Sequence, residues 1–471
     1  MEWLSKQLFN KICYPCIVNL YKDTILKLSR RDALKISAAT VAATALSACT
    51  NENIKLPKKQ KTKNIFLPFP KTKVPRVVVV GGGWSGLSLA KQLKVEAPQA
   101  EVILVEQRFE FVSCPMSNLW LVDKIDLEFL THDYLQGARE NNYTFFQASV
   151  YGIDKEAKIL KTTNGDIEYD YLALAPGIDY DYSFWTDDKI LENRLRNEYP
   201  AAFKPGSEHM TLRNKILNFK GGNFIFTVPA GNYRCLPAPY ERACMVADYF
   251  KIKGVKAKVI ILDENNDITI KEHGFHTAME ELYSDYLEYV PNAKIEEIDL
   301  DKKLVVTEFD EFEFEDASFY PHVRGAKILE TLGFAKDTIY NKMEANIDPF
   351  SYEVIGEENI FVSGDARPMG FSKSGNTSNT EAKHVARLIA RKINKKPKIK
   401  WESPVTVCIS LVSINPERGI FIHSEYAYNK KAGQFEFATP VTDEIWKGKH
   451  GEQNAASAYD WARAMYADMF E

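Results

Sequence analysis

Apolar and polar positions along the chain alternate between two patterns. Arg76-Val77-Val78-Val79-Val80 is an unbroken β-branched run, the signature of a strand buried on both faces. A stretch with amphipathic helical spacing follows from Leu87 to Val95, and then a second apolar strand, Glu101-Val102-Ile103-Leu104-Val105. The same order recurs in the middle of the chain. Strand Phe224-Ile225-Phe226-Thr227-Val228 precedes a helix from about Tyr240 to Lys253 and a strand Lys258-Val259-Ile260-Ile261-Leu262. Two more apolar strands, Tyr171-Leu172-Ala173-Leu174 and Asn359-Ile360-Phe361-Val362, each end in a small-residue turn, and the second leads to a helix from about Asn379 to Ile393. Repeated strand–helix–strand units predict parallel sheets with helices on both faces.

The expected fold class is α/β: two Rossmann-like dinucleotide-binding domains, the first in three layers (ββα), with a C-terminal α+β domain. The pattern divides the chain into a leader over 1–49, a linker over 50–73, a first dinucleotide-binding part over 74–185, a second Rossmann-like domain over 186–316, a return to the first over 317–396, and a C-terminal domain over 397–471.

The first strand runs into Gly81-Gly82-Gly83-Trp84-Ser85-Gly86, and the second ends at Glu106. A Gly-x-Gly-x-x-Gly loop between strand and helix, with an acid about 25 residues on, is the dinucleotide-binding fingerprint. Gly81 supplies the tight turn, Gly83 lets a pyrophosphate approach the backbone, and Gly86 lets helix and strand pack closely. The pyrophosphate is expected on the helix N-terminus, where free N–H groups and the helix dipole favour an anion. Glu106 is expected to accept hydrogen bonds from the adenosine ribose. The second unit lacks this loop. Its turn, Pro229-Ala230-Gly231-Asn232-Tyr233-Arg234-Cys235-Leu236-Pro237-Ala238-Pro239, puts prolines and large side chains where a pyrophosphate needs bare backbone, so NAD(P) is not expected there.

The leader carries Ser29-Arg30-Arg31-Asp32-Ala33-Leu34-Lys35, then an apolar small-residue run from Ile36 to Ala45, then Leu46-Ser47-Ala48-Cys49. Twin arginine, short apolar core and small-residue site form the order of a bacterial Tat export signal. The run is well short of the roughly 20 apolar residues that span a bilayer. The last four residues resemble a lipobox, which makes Cys49 a lipid anchor and the only expected membrane attachment of a periplasmic protein. The competing reading is a buried N-terminal helix with an incidental Arg-Arg pair. Residues 50–73 hold seven Lys, one Glu and three Pro, a composition suited to an extended solvated tether. Cys13-Tyr14-Pro15-Cys16 has no second pair to complete a metal site and reads as incidental.

Composition narrows the rest. The 471 residues carry a formal net charge of -4, which argues against a nucleic-acid-binding face, and seven cysteines are too few for a disulfide scaffold. No CxxCH occurs, so no haem is held covalently, and no His pair shows metal-ligand spacing; His273 and His276 lack an acid motif.

Two small-residue turns, Ala175-Pro176-Gly177 and Gly364-Asp365, resemble the second and third FAD motifs of the two-dinucleotide-fold flavoenzymes. That resemblance implies bound FAD, with Asp365 contacting its ribityl or phosphate region and the following helix aimed at the flavin ring. Val150, Ser374 and Gly375 are assigned to the same cofactor. Cys114 in Phe111-Val112-Ser113-Cys114-Pro115-Met116-Ser117-Asn118, the stretch from Tyr233 to Ala243, and Lys373-Ser374-Gly375-Asn376-Thr377-Ser378-Asn379 together resemble the flavoprotein subunit of flavocytochrome c sulfide dehydrogenase. Thr406-Val407-Cys408-Ile409-Ser410-Leu411-Val412 and Tyr459-Asp460-Trp461 fit the same family, over Val74 to Phe470.

The family resemblance implies an exported FAD-dependent oxidoreductase. It would oxidise sulfide or a related small sulfur compound and pass electrons to a c-type cytochrome subunit that carries the haem. Cys114 matches the cysteine that binds FAD through a thioether. Trp461 is the candidate for carrying electrons outward, with a packing role as the alternative. Cys235 matches one member of a redox-active disulfide. Its partner is expected ahead of the Gly-Asp strand, near Met343, yet no cysteine lies between Cys244 and Cys408. Cys235 is therefore expected to act alone as the catalytic thiol, favoured as a thiolate by Arg234 and the helix N-terminus, or to be a relic. Cys244 and Cys408 are expected to be buried core residues. The alternative function is a flavin-binding electron-transfer or scaffold protein that has lost the disulfide chemistry.

Overall fold

The computed structural model describes residues 67–471; the twin-arginine motif, Cys13, Cys16 and Cys49 lie outside the described residues. Within the expected tether, residues 67–69 are half-buried, while residues 70–73 are exposed as its composition implies. Phe69 meets Phe146 edge-on at 5.2 Å, and the Pro70 carbonyl accepts a hydrogen bond from Arg76 Nη2 at 2.5 Å. An aromatic ring among the lysines overrides the composition.

The first sheet has five parallel strands in the order Ile360–Val362, Tyr171–Leu174, Arg76–Val80, Glu101–Glu106, Thr144–Gln147. Every residue of the Arg76–Val80 strand is buried, as its continuous apolar run demands. The order reverses at this strand, and a crevice opens there at the carboxyl ends of the strands. In the following helix, Trp84–Glu96, all residues from Trp84 to Ala90 are buried, because the Gly375–Ile393 helix packs across that part. Lys91, Gln92, Lys94 and Val95 stay at least partly exposed around buried Leu93, as the amphipathic Leu87–Val95 stretch implies.

The second sheet is also parallel, in the order Leu287–Val290, Ala257–Asp263, Gly222–Val228, Asp316–Ser318. Its own switch point, at the carboxyl end of Gly222–Val228, receives the Pro229–Pro237 turn. Tyr233 fills this position, fully buried, its hydroxyl bonded to the Leu236 carbonyl and Thr269 at 3.0 Å each. The chain then enters the Ala238–Lys253 helix.

The C-terminal part is an antiparallel meander of Thr406–Ile414, Glu417–Asn429 and Gln434–Asp443, followed by the helix Gly448–Phe470. This sheet packs on the Ala238–Lys253 helix, and its first strand thereby reaches the turn that carries Cys235. The fold is a mixed α/β architecture of two Rossmann-like units with a C-terminal strand-and-helix part.

Candidate functional site

A cleft of about 470 Å³ opens at the switch point of the first sheet. Gly81, Gly83, Trp84, Glu106, Cys114, Val150, Ala175, Pro176 and Gly177 all lie in its wall, as do Arg108 and Arg234. The glycine loop performs the steric tasks its spacing implies. Gly81 has φ +104, and a Cβ there would stand 2.3 Å from the Ala175 carbonyl oxygen. A Cβ on Gly86 would lie 1.7 Å from the Gly81 oxygen, so strand and helix touch through bare backbone. At Gly83, by contrast, no atom lies within 4 Å of that direction, and the space belongs to the cleft.

Glu106 accepts from the Gly82 amide at 2.8 Å and from the Arg108 amide at 3.0 Å. Burial pushes its carboxyl upward, but the Arg108 charge and these hydrogen bonds outweigh burial and hold it below the ordinary carboxylate range. The acid at the strand end is therefore an anion, as ribose recognition requires. Trp84 Nε1, also in this wall, is buried without a hydrogen-bond partner. An open Gly83 cradle, an ionised strand-end acid that accepts and an unpaired indole N–H that donates form a set of groups that fits FAD.

Ser85, Gly364 and Asp365 are drawn off the wall into the support behind it. Ser85 Oγ bonds Ser363 Oγ at 2.7 Å, and a Cβ on Gly364 would meet Ser85 Cβ at 2.8 Å. Asp365 pairs with Arg234 Nε at 3.1 Å and accepts from Ser378 Oγ at 3.0 Å. It therefore orients an arginine of the cleft. The short Ile360–Val362 strand ends beneath the glycine loop, which turns its Gly-Asp inward.

Beyond Cys114 and Arg234 lies a second, smaller chamber of about 70 Å³. Cys114, Cys235 and Cys408 all line it, together with Glu241, Ser374, Gly375 and Trp461. Cys235 and Cys408, both free thiols, share this chamber, and each shifts the titration of the other. This overturns two expectations: Cys235 is not alone, and Cys408 is not a core residue. The partner comes from the C-terminal sheet, not from the Met343 region, because the meander lays Thr406–Ile414 along the Ala238–Lys253 helix. Cys244, one face further round that helix, is fully buried in the apolar core.

The thiolate preference is also reversed. The Cys235 thiol is pushed up by its neighbour Cys408 and by burial, and the Glu241 charge adds to this. The Cys408 thiol is held below its ordinary value by its neighbour Cys235, then by Lys271 and Ser410, against burial. Arg234 does not serve Cys235, because it is turned to Asp365 and to the Phe203 carbonyl at 2.8 Å. Its backbone is clamped by the Tyr320 hydroxyl, which accepts from Arg234 N at 2.9 Å and donates to its carbonyl at 3.0 Å. Cys235 itself sits at φ +58, and its amide donates to the Lys373 carbonyl at 2.9 Å. A left-handed non-glycine residue stores of order 1–2 kcal/mol of strain.

Sequence reasoning missed Glu241, Lys271, Ser410 and Asn118. Glu241 accepts from Asn118 Nδ2 and from the Leu411 amide at 2.9 Å each, and burial pushes its carboxyl up to about 7. The same Asn118 accepts from Arg242 Nε at 3.0 Å, which fixes both neighbouring charges. The available signal was the Glu241-Arg242 pair on a helix whose flanks are Tyr240, Ala243 and Cys244, all buried. Lys271 and Ser410 carried no local signal.

The Gly375–Ile393 helix begins at Gly375 rather than near Asn379, capped by Ser374 Oγ, which accepts from the Thr377 amide at 3.3 Å. Its first turn therefore forms part of the chamber wall. Trp461 stacks on Trp84 at 5.8 Å and 16° and donates to Asn376 Oδ1 at 2.8 Å, bridging the cleft wall to that helix start. Away from both cavities, Asp267, Glu272 and His276 bring one ligand-type atom each within 4.8 Å of one another. This acidic neighbourhood of His276 was not visible in the spacing, and the imidazole is already bonded to Asp267 at 2.6 Å.

The cleft at the switch point and the thiol pair beside it define a two-dinucleotide-fold flavoprotein, and the model for pyridine nucleotide-disulphide oxidoreductases matches residues 75–184. The models for the central and flavin-binding domains of the sulfide dehydrogenase (flavocytochrome c) flavoprotein chain match residues 210–318 and 402–470. The flavoprotein chain from Chlorobaculum thiosulfatiphilum is 56% identical over 43 residues, 9% of this chain and 90% of that sequence. The chain belongs to this sulfide dehydrogenase flavoprotein family. It is also 30% identical over 194 residues to the mitochondrial sulfide:quinone oxidoreductase of Dictyostelium discoideum, covering 40% of this chain and 41% of that protein. It thus spans about two fifths of the length of the curated sulfide:quinone oxidoreductases it matches. Among solved structures, the sulfide:quinone oxidoreductase from Aquifex aeolicus superposes with a TM-score of 0.65 at 17% identity, covering 84% of this chain and 91% of that one.

Proposed function

We propose that this protein is an FAD-dependent oxidoreductase that oxidises sulfide, or a related small sulfur donor, at the Cys235–Cys408 pair and delivers the electrons to a c-type cytochrome. The observation that carries this reading is that the two free thiols line one chamber, and that Cys114 and Arg234 line both this chamber and the nucleotide cleft. Two neighbouring free thiols are the reduced form of a disulfide. When it is oxidised, HS⁻ attacks one sulfur: a new S–S bond forms, the Cys235–Cys408 bond breaks, and a persulfide and a thiolate result. Bound FAD is the two-electron oxidant that restores the disulfide as the sulfane sulfur leaves, so the net loss from HS⁻ is one electron pair and one proton. Glu241 is the chamber's candidate proton acceptor, because burial brings its carboxyl up to about 7.

The remaining assignments follow from the same arrangement. Gly81, Gly83, Trp84, Glu106, Val150 and Ala175 to Gly177 hold the nucleotide, with Ser85, Gly86, Gly364 and Asp365 supporting them from behind. Cys114 lines both cavities and is the residue proposed to hold FAD by a thioether. Trp461, stacked on Trp84, is the proposed exit for electrons. A quinone acceptor is the second reading, supported by the likeness to sulfide:quinone oxidoreductases. The pair of thiols weighs against a scaffold protein without sulfur chemistry.

Anaerobic mixing of the purified protein with sulfide, and separately with NADH, tests the reading. Sulfide is expected to bleach the flavin and NADH to leave it oxidised; bleaching by neither, or by NADH only, overturns it. Re-oxidation of the sulfide-reduced protein by cytochrome c, against a soluble quinone, separates the two acceptors. Export through the twin arginine and anchoring through Cys49 are proposed from the leader. Fractionation of cells carrying Arg30→Lys/Arg31→Lys or Cys49→Ala checks them. A double-Lys protein that reaches the periplasm, or a Cys49→Ala protein that stays on the membrane, contradicts the respective proposal.

A further inference from the structure

Lys271 stands in the left-handed region at φ +55 and is only 3% exposed. Its ammonium donates to Ser410 Oγ at 2.6 Å and to the Cys408 carbonyl at 3.3 Å, and among the described residues it makes no ion pair with a carboxylate. A buried charge without a counter-charge is costly, so it stands where something else in the site compensates it. An ammonium has only donors, so the Ser410 hydroxyl must accept from it. The hydroxyl hydrogen is then free to point elsewhere, and the Cys408 sulfur lies 3.9 Å from the same oxygen.

We propose that Lys271, acting through the Ser410 hydroxyl, is a positioning residue that makes Cys408 the thiolate member of the pair, so that sulfide attacks Cys235 and expels Cys408. The inference rests on the pair being the sulfide-reactive centre. In the step, the incoming sulfur bonds to Cys235 Sγ, the Cys235–Cys408 bond breaks, and its electron pair stays on Cys408 Sγ. The proton of HS⁻ remains on the persulfide formed at Cys235. A disulfide opens toward the thiol that is the better leaving group. The groups facing Cys408 agree with that direction. Cys235 faces the same chamber from the turn, the Ser410 hydroxyl lies 3.9 Å away on its own strand, and Lys271 adds positive charge from the second Rossmann-like unit. The Glu241 charge, from the Ala238–Lys253 helix, raises Cys235.

The test uses the flavin-loaded protein, reduced with dithiothreitol and then freed of it under anaerobic conditions. Limiting iodoacetamide at a series of pH values, followed by peptide mass mapping, reports each thiol separately. Cys408 is expected to be alkylated before Cys235. Lys271→Met is expected to slow Cys408 at pH 6.5 by about threefold, the effect of a one-unit rise of its titration, and Ser410→Ala by a smaller factor. Both variants should keep the far-UV circular dichroism and flavin absorbance of the parent; if Lys271→Met does not fold, Ser410→Ala decides. Alkylation of Cys235 first, or an unchanged Cys408 profile in a folded variant, overturns the proposal. Trapping of the sulfide-treated disulfide form should map the persulfide to Cys235, and a persulfide on Cys408 also overturns it. Because alkylation uses no sulfide, its failure leaves sulfide oxidation standing, whereas Cys408-first alkylation without sulfide bleaching counts against the function alone.

Discussion

Cys408, on the first strand of the C-terminal meander, lines the same chamber as Cys235, on the turn after the first strand of the second Rossmann-like unit. Two thiols that close into one disulfide act as one redox unit, so their deletions should not add. Cys235→Ser and Cys408→Ser are each expected to slow sulfide bleaching of the flavin by at least about a hundredfold, and the double variant to lose no more. Cys244→Ala should stay within about twofold of the parent. Anaerobic stopped-flow absorbance measures all four, and a Cys408→Ser protein that bleaches normally removes the pair from the chemistry.

The glycine loop separates binding from folding. Gly83→Val adds side chain where nothing lies within 4 Å, so it should fold normally but co-purify without FAD. Gly86→Ala must push its Cβ into the Gly81 carbonyl oxygen, 1.7 Å away, and should cost about 1–3 kcal/mol of stability with or without cofactor. Urea unfolding of both apoproteins checks this. Equal destabilisation by the two substitutions contradicts the assignment of open space at Gly83.

Cys114 lines both cavities, and its buried thiol, pushed up by burial, lies 3.5 Å from the Phe203 carbonyl. If it carries the flavin, acid precipitation of the purified protein yields a yellow pellet, and Cys114→Ala yields a colourless one with free FAD in the supernatant. A colourless parent pellet rules out the thioether.

Glu241 predicts a pH dependence. Burial pushes its carboxyl up to about 7 from an ordinary value of 4.5. Between those values the folded protein holds a proton that the unfolded chain has released. The resulting stability is fully present below about 4.5 and is lost as pH rises through about 7. From pH 5 to pH 8 the parent should therefore lose about 1–3 kcal/mol relative to Glu241→Gln, which has no proton to release. Parallel pH profiles of urea unfolding for the two proteins would contradict a raised Glu241.

The sequence and the structure part company at identifiable places. The Val77–Val80 run, the glycine loop and the strand ending at Glu106 lie where the periodicity and spacing put them, because each is set by contacts within about thirty residues of one βαβ unit. The amphipathic Leu87–Val95 spacing gives no sign that the Gly375–Ile393 helix covers Leu87 to Ala90 on every side, since that helix lies almost three hundred residues on. Asp365 was recognised as a site acid, but its partner Arg234 comes from the other Rossmann-like unit.

The sequence by itself determined the two parallel-sheet units, the place where a dinucleotide can lie and the chemical kinds of residue available, because strand periodicity, turn sterics and helix-terminus electrostatics are short-range. Only the tertiary structure decided which cysteines share a chamber and which charged groups face them. Cys235, Glu241, Lys271 and Cys408 converge from a turn, a helix, a loop and a distant sheet. Hydrogen bonding and charge inside a buried chamber depend on distances of a few ångströms between segments that have no fixed spacing along the chain.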